Sequence, residues 1–528
     1  MASILMLGRS AMGYRPHPAP QYMLFGYDPV RDLPADHLAR LVEYVVEEAN
    51  LPKTISGGRG QPAFDPRLCA KVLVYGYATR VRSSRQLERL CSESLPYLFL
   101  TRGDTPSYRT LCHFRVNHSD IIERVFTELF AVAGECGMER LGAIVIDSSK
   151  FRADASPEAV IKQTEFAPLL DELKRILAEA READERDEED PPGQTRTGQP
   201  VDSDQMRDIL RRVRKRLARS RKSDNGNDMP ASEVNTSARQ PFGPRMLPRI
   251  KAAIETLEAA QEQKSKHACL TDPDAQMMKE GREKHIHECH SFEVVVDRQD
   301  GLLVVGQTCQ SPTDNARLQP LVDAAKTQEP NGIKSADADS GYYSGDTVAA
   351  LLSAGIDTCI PDTNTACDLH RGLPIGTTRS RGRGSITLEY DAEANCYRCP
   401  EDNTLLPQAH RQDYGQMVTV YRAKKPCTDC PLACDCLTQP NAQYRTLKRG
   451  DHADRLEEAR QRFSQKEHQD RYHHRGEAVE TVFGFIRGTL GYIRWMLRGK
   501  ERVACEGKLF KTAYQLRKVH VRWAQQTA

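Results

Sequence analysis

The sequence predicts a mixed α/β protein, and three observations carry that prediction. Residues 30–140 place apolar side chains at three- and four-residue spacing, as amphipathic helices do. A β-rich run begins abruptly at Leu141, and paired β-rich runs return at Ser291. From there to Pro361, helical stretches alternate with short strand-like runs, the order of a mixed sheet covered by helices. With 528 residues, 39% apolar and 28% charged, the chain is long enough for several domains around one or two substantial cores. Lys and Arg (75) nearly balance Asp and Glu (73), which excludes a uniformly basic coat and leaves only local patches to consider. The N-terminus has a short apolar run with no basic residue before it, and no later stretch is apolar enough to span a bilayer, so a cytoplasmic protein is expected.

The first helices are expected at 36–51, 64–81, 83–94 and 107–137, with Ser83 and Ser107 as N-caps and Pro66 just inside a start. Together they make an all-helical domain over 1–140. Its Arg80, Arg82, Arg85, Arg89, Arg102, Arg109 and Arg115 offer side chains long enough to reach phosphates, although a bundle with solvated charges satisfies the same pattern. LGAIVID (141–147) then reads as a strand that ends in an acid, Asp147. Residues 158–264 return to helix as a charged insert, acidic over 165–190 and basic over 206–222, with a linker at 223–244. At 291–309 two β-rich runs flank Asp300-Gly301, a hairpin turn signal. A helix at 314–328, a strand at 332–340 carrying Asp337 and Asp339, a helix at 344–355 and a strand at 356–361 follow. If these strands share one sheet, Asp147 meets the 337/339 pair at one edge.

Two acids on neighbouring strands can hold a hard divalent cation, Mg²⁺ or Mn²⁺, which prefers carboxylate oxygen. A third carboxylate is offered by DRYHHRGEAVETVFGFIRGTLGYIRWMLRGK (470–500), where Glu480 and Arg487 stand seven residues apart and share a helix face. Of the sixteen cysteines, six crowd between Cys396 and Cys436. Cys396-x-x-Cys399 and Cys427-x-x-Cys430 have the paired spacing of a zinc ribbon, so a structural Zn²⁺ on these four is expected, with Cys434 or Cys436 as substitutes. His285, His287, Cys289 and His290 could also ligate a metal, but the run reads first as a solvated loop. The aromatics of 492–524 read as the packing face of a helix with a basic outer side.

DSSK (147–150), DSGYYS (339–344) and the set Tyr472, Arg475, Glu480 and Arg487 resemble bacterial DDE-type insertion-sequence transposases. FDPRLCAKVLVYGYATRVRSSRQLERL and PSYRTLCHFR resemble the InsH-type N-terminal domain of these enzymes, and TDPDAQMM (271–278) resembles their segment before the hairpin. The resemblance covers nearly the whole chain. It implies an RNase H-like catalytic core over 141–157 and 265–370, a cysteine-rich insert over 371–450, and a helical C-terminal part, 451–528, carrying the third acid. By the same resemblance Asp147, Asp339 and Glu480 are the catalytic, magnesium-binding acids, and Lys150, Tyr472, Arg475 and Arg487 contact DNA.

The sequence departs from the family pattern in three places. Four residues rather than three separate Arg475 from Glu480, Arg stands for Lys at 487, and His290-Ser291-Phe292-Glu293 replaces a Tyr-Asn-x-Gln string. Glu477 is a rival third acid, but seven residues beyond it lies Gly484, which has no side chain to offer a phosphate. Asp337 rivals Asp339, since residues two apart on a strand share a face. The implied activity is two-metal phosphoryl transfer: cleavage at the element's terminal repeats and joining to target DNA by a nucleoid-associated homodimer that holds two ends. A DNA-binding descendant without catalysis, or an endonuclease that cuts without joining, uses the same residues.

Overall fold

The computed structural model describes residues 28–51, 64–140, 142–187, 210–211, 213–214, 247–280, 285–329, 331–375, 386, 388–413, 416–439 and 441–527. The linker at 223–244, most of the basic helix at 206–222 and the clustered Arg379, Arg381 and Arg383 lie outside the described residues.

The first third of the chain is helical: α1 (Pro29–Asp32), α2 (Leu38–Glu48), α3 (Pro66–Ala78), α4 (Ser84–Glu93), α5 (Leu95–Thr101), α6 (Tyr108–Asn117) and α7 (Ser119–Glu135). The Asp65 carboxylate accepts from the Arg67 N–H ahead of Pro66, and Ser107 Oγ accepts from the Thr110 N–H, so both starts are capped as their residue types favour. Ser83 makes no such bond. The single helix expected over 107–137 breaks at His118, whose backbone (φ −125°, ψ 35°) is not helical.

Strand β1 (Ala143–Arg152) opens the central sheet, and the insert follows it as β2 (Val160–Lys162), α8 (Phe166–Asp187), α9 (Leu247–Glu262) and β3 (His267–Cys269). Helices α8 and α9 pack on each other around Leu169, Leu173, Ile250 and Leu257, and the β2–β3 pair closes the root of this excursion. There follow β4 (Gln276–Glu280), β5 (His285–Asp297), β6 (Leu303–Cys309), α10 (Leu318–Lys326), β7 (Ser335–Ala338), α11 (Gly345–Ser353), β8 (Asp357–Cys359) and α12 (Thr363–Arg371).

The strands expected to share a sheet do so. Its order is β6-β5-β1-β7-β8, with β4 on the first part of β5; β6, β5 and β1 are antiparallel, while β1, β7 and β8 are parallel. Gly301 (φ +66°) makes the β5–β6 turn, with its N–H on the Asp297 carbonyl. One expectation is corrected here. β1 does not stop at Asp147 but runs on to Arg152, because the thirteen-residue β5 continues to pair with it through Arg152↔Cys289.

The cysteine-rich stretch forms a second sheet, a meander of β9 (Glu389–Asp391), β10 (Cys396–Arg398), β11 (Thr404–Asp413), β12 (Gln416–Ala423) and β13 (Thr446–Gly450), with one helical turn, α13 (Ala433–Cys436), between the last two strands. Beyond it lie α14 (Ala453–Arg462), α15 (Lys466–Gly484), a wide π turn at Phe485–Thr489 and α16 (Lys500–Thr527).

Helix α16 joins the two ends of the chain. Its Leu509, Phe510, Ala513 and Leu516 share one core with Val42, Leu73 and Leu129 of α2, α3 and α7 and with Phe292 and Val294 of β5. Phe510 stacks on Trp495 at 4.7 Å and on Tyr492 at 4.8 Å, so these aromatics are core, as their spacing predicted. The TDPDAQMM segment caps this helix: Asp272 accepts from the Gly499 N–H (3.0 Å) and Asp274 from the Lys500 N–H (2.8 Å). Among the described residues, no helix is long and apolar enough to cross a membrane.

Candidate active site

Register creates the site. Strand β7 pairs with β1 from Ala143↔Ser335 to Ile146↔Ala338, so Asp147 and Asp339 are the next residues on each strand, side by side where the parallel ladder ends. The Asp147 Oδ1 accepts from the Ser148 N–H (2.7 Å), and Asp339 Oδ1 accepts from the Gly341 N–H (2.8 Å). Burial and the Asp339 carboxylate push the Asp147 carboxyl up to about 7, against the pull of the Ser148 N–H and the Arg475 guanidinium.

A third carboxylate closes in from the other face of β1. Side chains alternate along a strand, so Ser148 and Lys150 face the helix side that carries α10. Ser148 Oγ donates to Asp314 Oδ1 (2.9 Å) and Lys150 Nζ to Asp314 Oδ2 (3.3 Å). Gly341 gives the two acids room: a Cβ there would lie 3.0 Å from Asp339 Oδ1 and 3.7 Å from Asp314 Oδ2. The Glu293–Arg317 pair holds this loop in place (2.7 and 2.9 Å), so the HSFE segment carries a buried ion pair that fixes the approach of Asp314. Asp314 was not singled out by sequence, because an acid at an expected helix start reads as a cap. The helix in fact starts at Leu318, beyond it.

Helix α15 crosses the same sheet end. Arg471 binds both Asp337 and Asp357, and Arg298 binds Asp337 from the other side. Asp337 is therefore a buried anchor for the helix rather than a partner of Asp147. One turn later Arg475 comes within range of Asp147, stacked on Tyr472 with its guanidinium 4.4 Å from the ring centre. Burial pushes the Tyr472 hydroxyl up, with Arg475 opposing and Asp339 adding to the rise. Nε of Arg475 is buried with no hydrogen-bond partner among the described residues.

Glu480 is exposed on α15 beside Gly476, and Glu477 is exposed as well. The charged groups that bear most on Asp147 are Asp339, Arg475 and Asp314. Arg487, in the π turn, donates to the Lys150 carbonyl and lies over the Phe151 ring at 4.7 Å, so it pins the strand segment that carries Lys150.

The expected zinc ligands lie on the second sheet. Cys396 is buried on β10 opposite Asp391, and Cys399, Cys427 and Cys430 gather at the neighbouring turns. The histidine run lies on β5, not in the expected solvated loop: His285 is exposed at the start of the strand, and burial sets in along it to His290, which is buried on Asp272 at 2.9 Å. Among the described residues, no three His, Cys, Asp or Glu side chains already stand in metal-holding geometry.

Comparison with known families finds a match toward each end of the chain. Residues 28–117 match the family described as Transposase domain (DUF772), and residues 398–520, which include Glu480 but neither Asp147 nor Asp339, match the Transposase DDE domain. No curated protein matches the chain. A transposase domain near the N-terminus and a transposase DDE segment near the C-terminus of one chain together support an insertion-sequence transposase of the DDE type.

Proposed function

We propose that the chain cuts DNA at the ends of its insertion sequence and joins them to target DNA by metal-dependent phosphoryl transfer. The observation that carries this reading is the meeting of Asp147 and Asp339 at the end of one parallel strand pair, with Arg475 beside them. The strand order β6-β5-β1-β7-β8, antiparallel then parallel, supports an RNase H-like core.

The residues fit a hard divalent cation. Oxygen donors converge, and the Asp147 carboxyl is pushed up to about 7 by burial and its acidic neighbour, a crowding that positive charge relieves. Asp147 and Asp339 would hold Mg²⁺ or Mn²⁺, with Glu480 as the third acid from α15. When bound, such an ion lowers the pKa of a nucleophilic water or 3′-hydroxyl and offsets charge on the leaving oxygen.

The chain's own residues do the rest. Arg475, with an unused buried Nε, is positioned to take a phosphate oxygen next to the acids. Tyr472 holds the guanidinium flat by stacking. Lys150 brings a cation to the same strand, restrained by Asp314. On the N-terminal helices Arg80, Arg85 and Arg109 are exposed and suited to phosphate contacts, whereas Arg82, Arg102 and Arg115 are engaged with Glu506, Glu43 and Tyr77.

The test is cleavage of labelled element-end DNA in Mg²⁺ and in chelator by wild type, Glu480→Gln and Glu477→Gln. Loss with Glu480→Gln and retention with Glu477→Gln is expected. Wild-type cleavage by Glu480→Gln overturns its assignment, and binding without cleavage by the wild type moves the protein to a non-catalytic DNA-binding role.

A further inference from the structure

The second sheet has a stability problem that its apolar core does not solve. That core comprises Leu388, Tyr397, Leu405, Tyr421, Ala423, Cys427 and Leu437, with a few half-buried neighbours, which is thin for a five-stranded unit. Small units of this kind commonly need a cross-link or a metal. The weakest part is the segment between β12 and β13. It contains a single helical turn, α13; Lys424 N–H to the Thr404 carbonyl (2.9 Å) ties it to β11, and Cys427 N–H to the Gln443 carbonyl (2.8 Å) closes it on itself.

Cysteines sit where that segment meets the β10–β11 turn. Asn403 stitches the two together: its carbonyl accepts from the Cys399 N–H (2.8 Å), and its side-chain amide donates to the Lys425 carbonyl (3.0 Å) and lies 3.8 Å from Cys427 Sγ. The Cys430 N–H turns back on the Cys427 carbonyl (3.4 Å), and the Cys430 carbonyl receives the Ala433 N–H (3.0 Å) at the start of α13. That turn delivers Cys436, which is buried. The Cys436 N–H returns to the Leu432 carbonyl (2.8 Å), and Ala433 and Leu437 of the same turn pack in one cluster with Cys399, Cys427 and Cys430.

The other two cysteines stand apart from this group. Cys396 pairs across the strand with Asp391 and bears on Arg398, and Cys434 is exposed. Spacing alone favoured Cys396 because it completes a Cys-x-x-Cys string. Cys396 lies within β10, paired across to Asp391 of β9, whereas Cys399 follows the strand at the β10–β11 turn.

We propose that Cys399, Cys427, Cys430 and Cys436 form a closed, four-thiolate structural zinc site that pins the segment between β12 and β13 to the β10–β11 turn, with Cys396 and Cys434 outside it. On binding, each thiol gives its proton to solvent and the sulfur lone pair to the metal, leaving a site of net charge −2 beside Arg445. No position is left for water, so the site is structural and independent of the acids on the first sheet.

The experiment uses the full chain, purified without chelator, with zinc measured by elemental analysis in the wild type and in Cys396→Ser, Cys434→Ser and Cys436→Ser. About one zinc per chain is expected for the wild type and the first two variants, and nearly none for Cys436→Ser. A second readout on the wild type does not depend on any variant folding. Alkylation mapped by peptide mass should show Cys399, Cys427, Cys430 and Cys436 protected together and becoming reactive together when zinc is chelated, with Cys434 reactive throughout and Cys396 unaffected. A zinc-free wild type, a Cys436→Ser chain that keeps its zinc, or a chelator effect on Cys396 in place of Cys436 overturns the proposal.

Discussion

Asp314 shows how a side chain can serve the acid pair without belonging to it. Its carboxylate receives Ser148 Oγ and Lys150 Nζ, the two side chains that follow Asp147 on the far face of β1, and it adds to the negative field on Asp147. Asp314→Asn keeps the shape but releases Lys150. Cleavage is expected to fall about 10- to 100-fold while DNA affinity is kept, the size of effect seen when an outer partner of a metal site is removed. Wild-type cleavage rates for this variant in a single-turnover assay would contradict the role. Asp147 and Asp339 were legible in the sequence because each closes an apolar, β-rich run. Asp314 was not, because an acid ahead of a helix is so often only a cap. Strand alternation alone left Asp337 beside Asp339 on one face, and the family resemblance named Asp339. Arg298 and Arg471, arriving from β5's turn and from α15, both occupy Asp337.

At the scale of elements, α15 owes its placement to that pairing. Arg471 sets the register of the helix on the sheet, and Tyr472, Arg475 and Glu480 follow from it along the helix. Asp337→Ala leaves two arginines facing a buried gap, a loss of about 3–5 kcal/mol by analogy with other broken buried pairs. The expected outcome is a lower urea midpoint together with lost cleavage; an unchanged midpoint would show that α15 is held by packing alone. In the N-terminal helices, fully buried Lys71 lies between Glu43 (2.6 Å) and Glu47 (2.5 Å). Lys71→Ala removes the cation between those carboxylates, leaving Glu43 to Arg102 and Glu47 to Arg67, and is expected to lower the same urea midpoint by less than Asp337→Ala does. The helices themselves were readable from apolar spacing to within a few residues. The extension of β1 was not, because SSKFR has little strand character of its own and is held extended by the length of β5.

For the whole molecule, the decisive feature is the return of the C-terminus to the N-terminal helices. Arg82 lies over the Tyr492 ring at 4.5 Å and pairs with Glu506, which is fully buried and also accepts from the Met496 and Leu497 N–H groups (2.9 and 3.0 Å). Burial raises the Glu506 carboxyl above its ordinary value, against the pull of Arg82. Its contribution to stability is thus full below the ordinary Glu range and is lost as pH rises through the raised value. Glu506→Gln, whose amide oxygen can still accept both N–H groups, is expected to flatten the dependence of Tm on pH above about 4.5. A Tm profile parallel to the wild type would contradict the assignment. Sequence reading placed a helical domain over 1–140 and made 451–528 the helical C-terminal part of the core, because nothing local in either segment announces the other as its partner. The shared core of α2, α3, α7 and α16 is a long-range fact that only packing reveals.

The central claim is that Asp147 and Asp339 hold the metal that cuts and joins DNA, while contacts elsewhere in the chain hold the DNA itself. The most direct measurement is a strand-transfer assay with the element's own ends, target DNA and Mg²⁺, comparing wild type with Asp147→Asn and measuring end binding in parallel. Joined products from the wild type, their disappearance in Asp147→Asn, and end affinity that persists in the variant are the predicted result. Joined products from Asp147→Asn at the wild-type rate would contradict it.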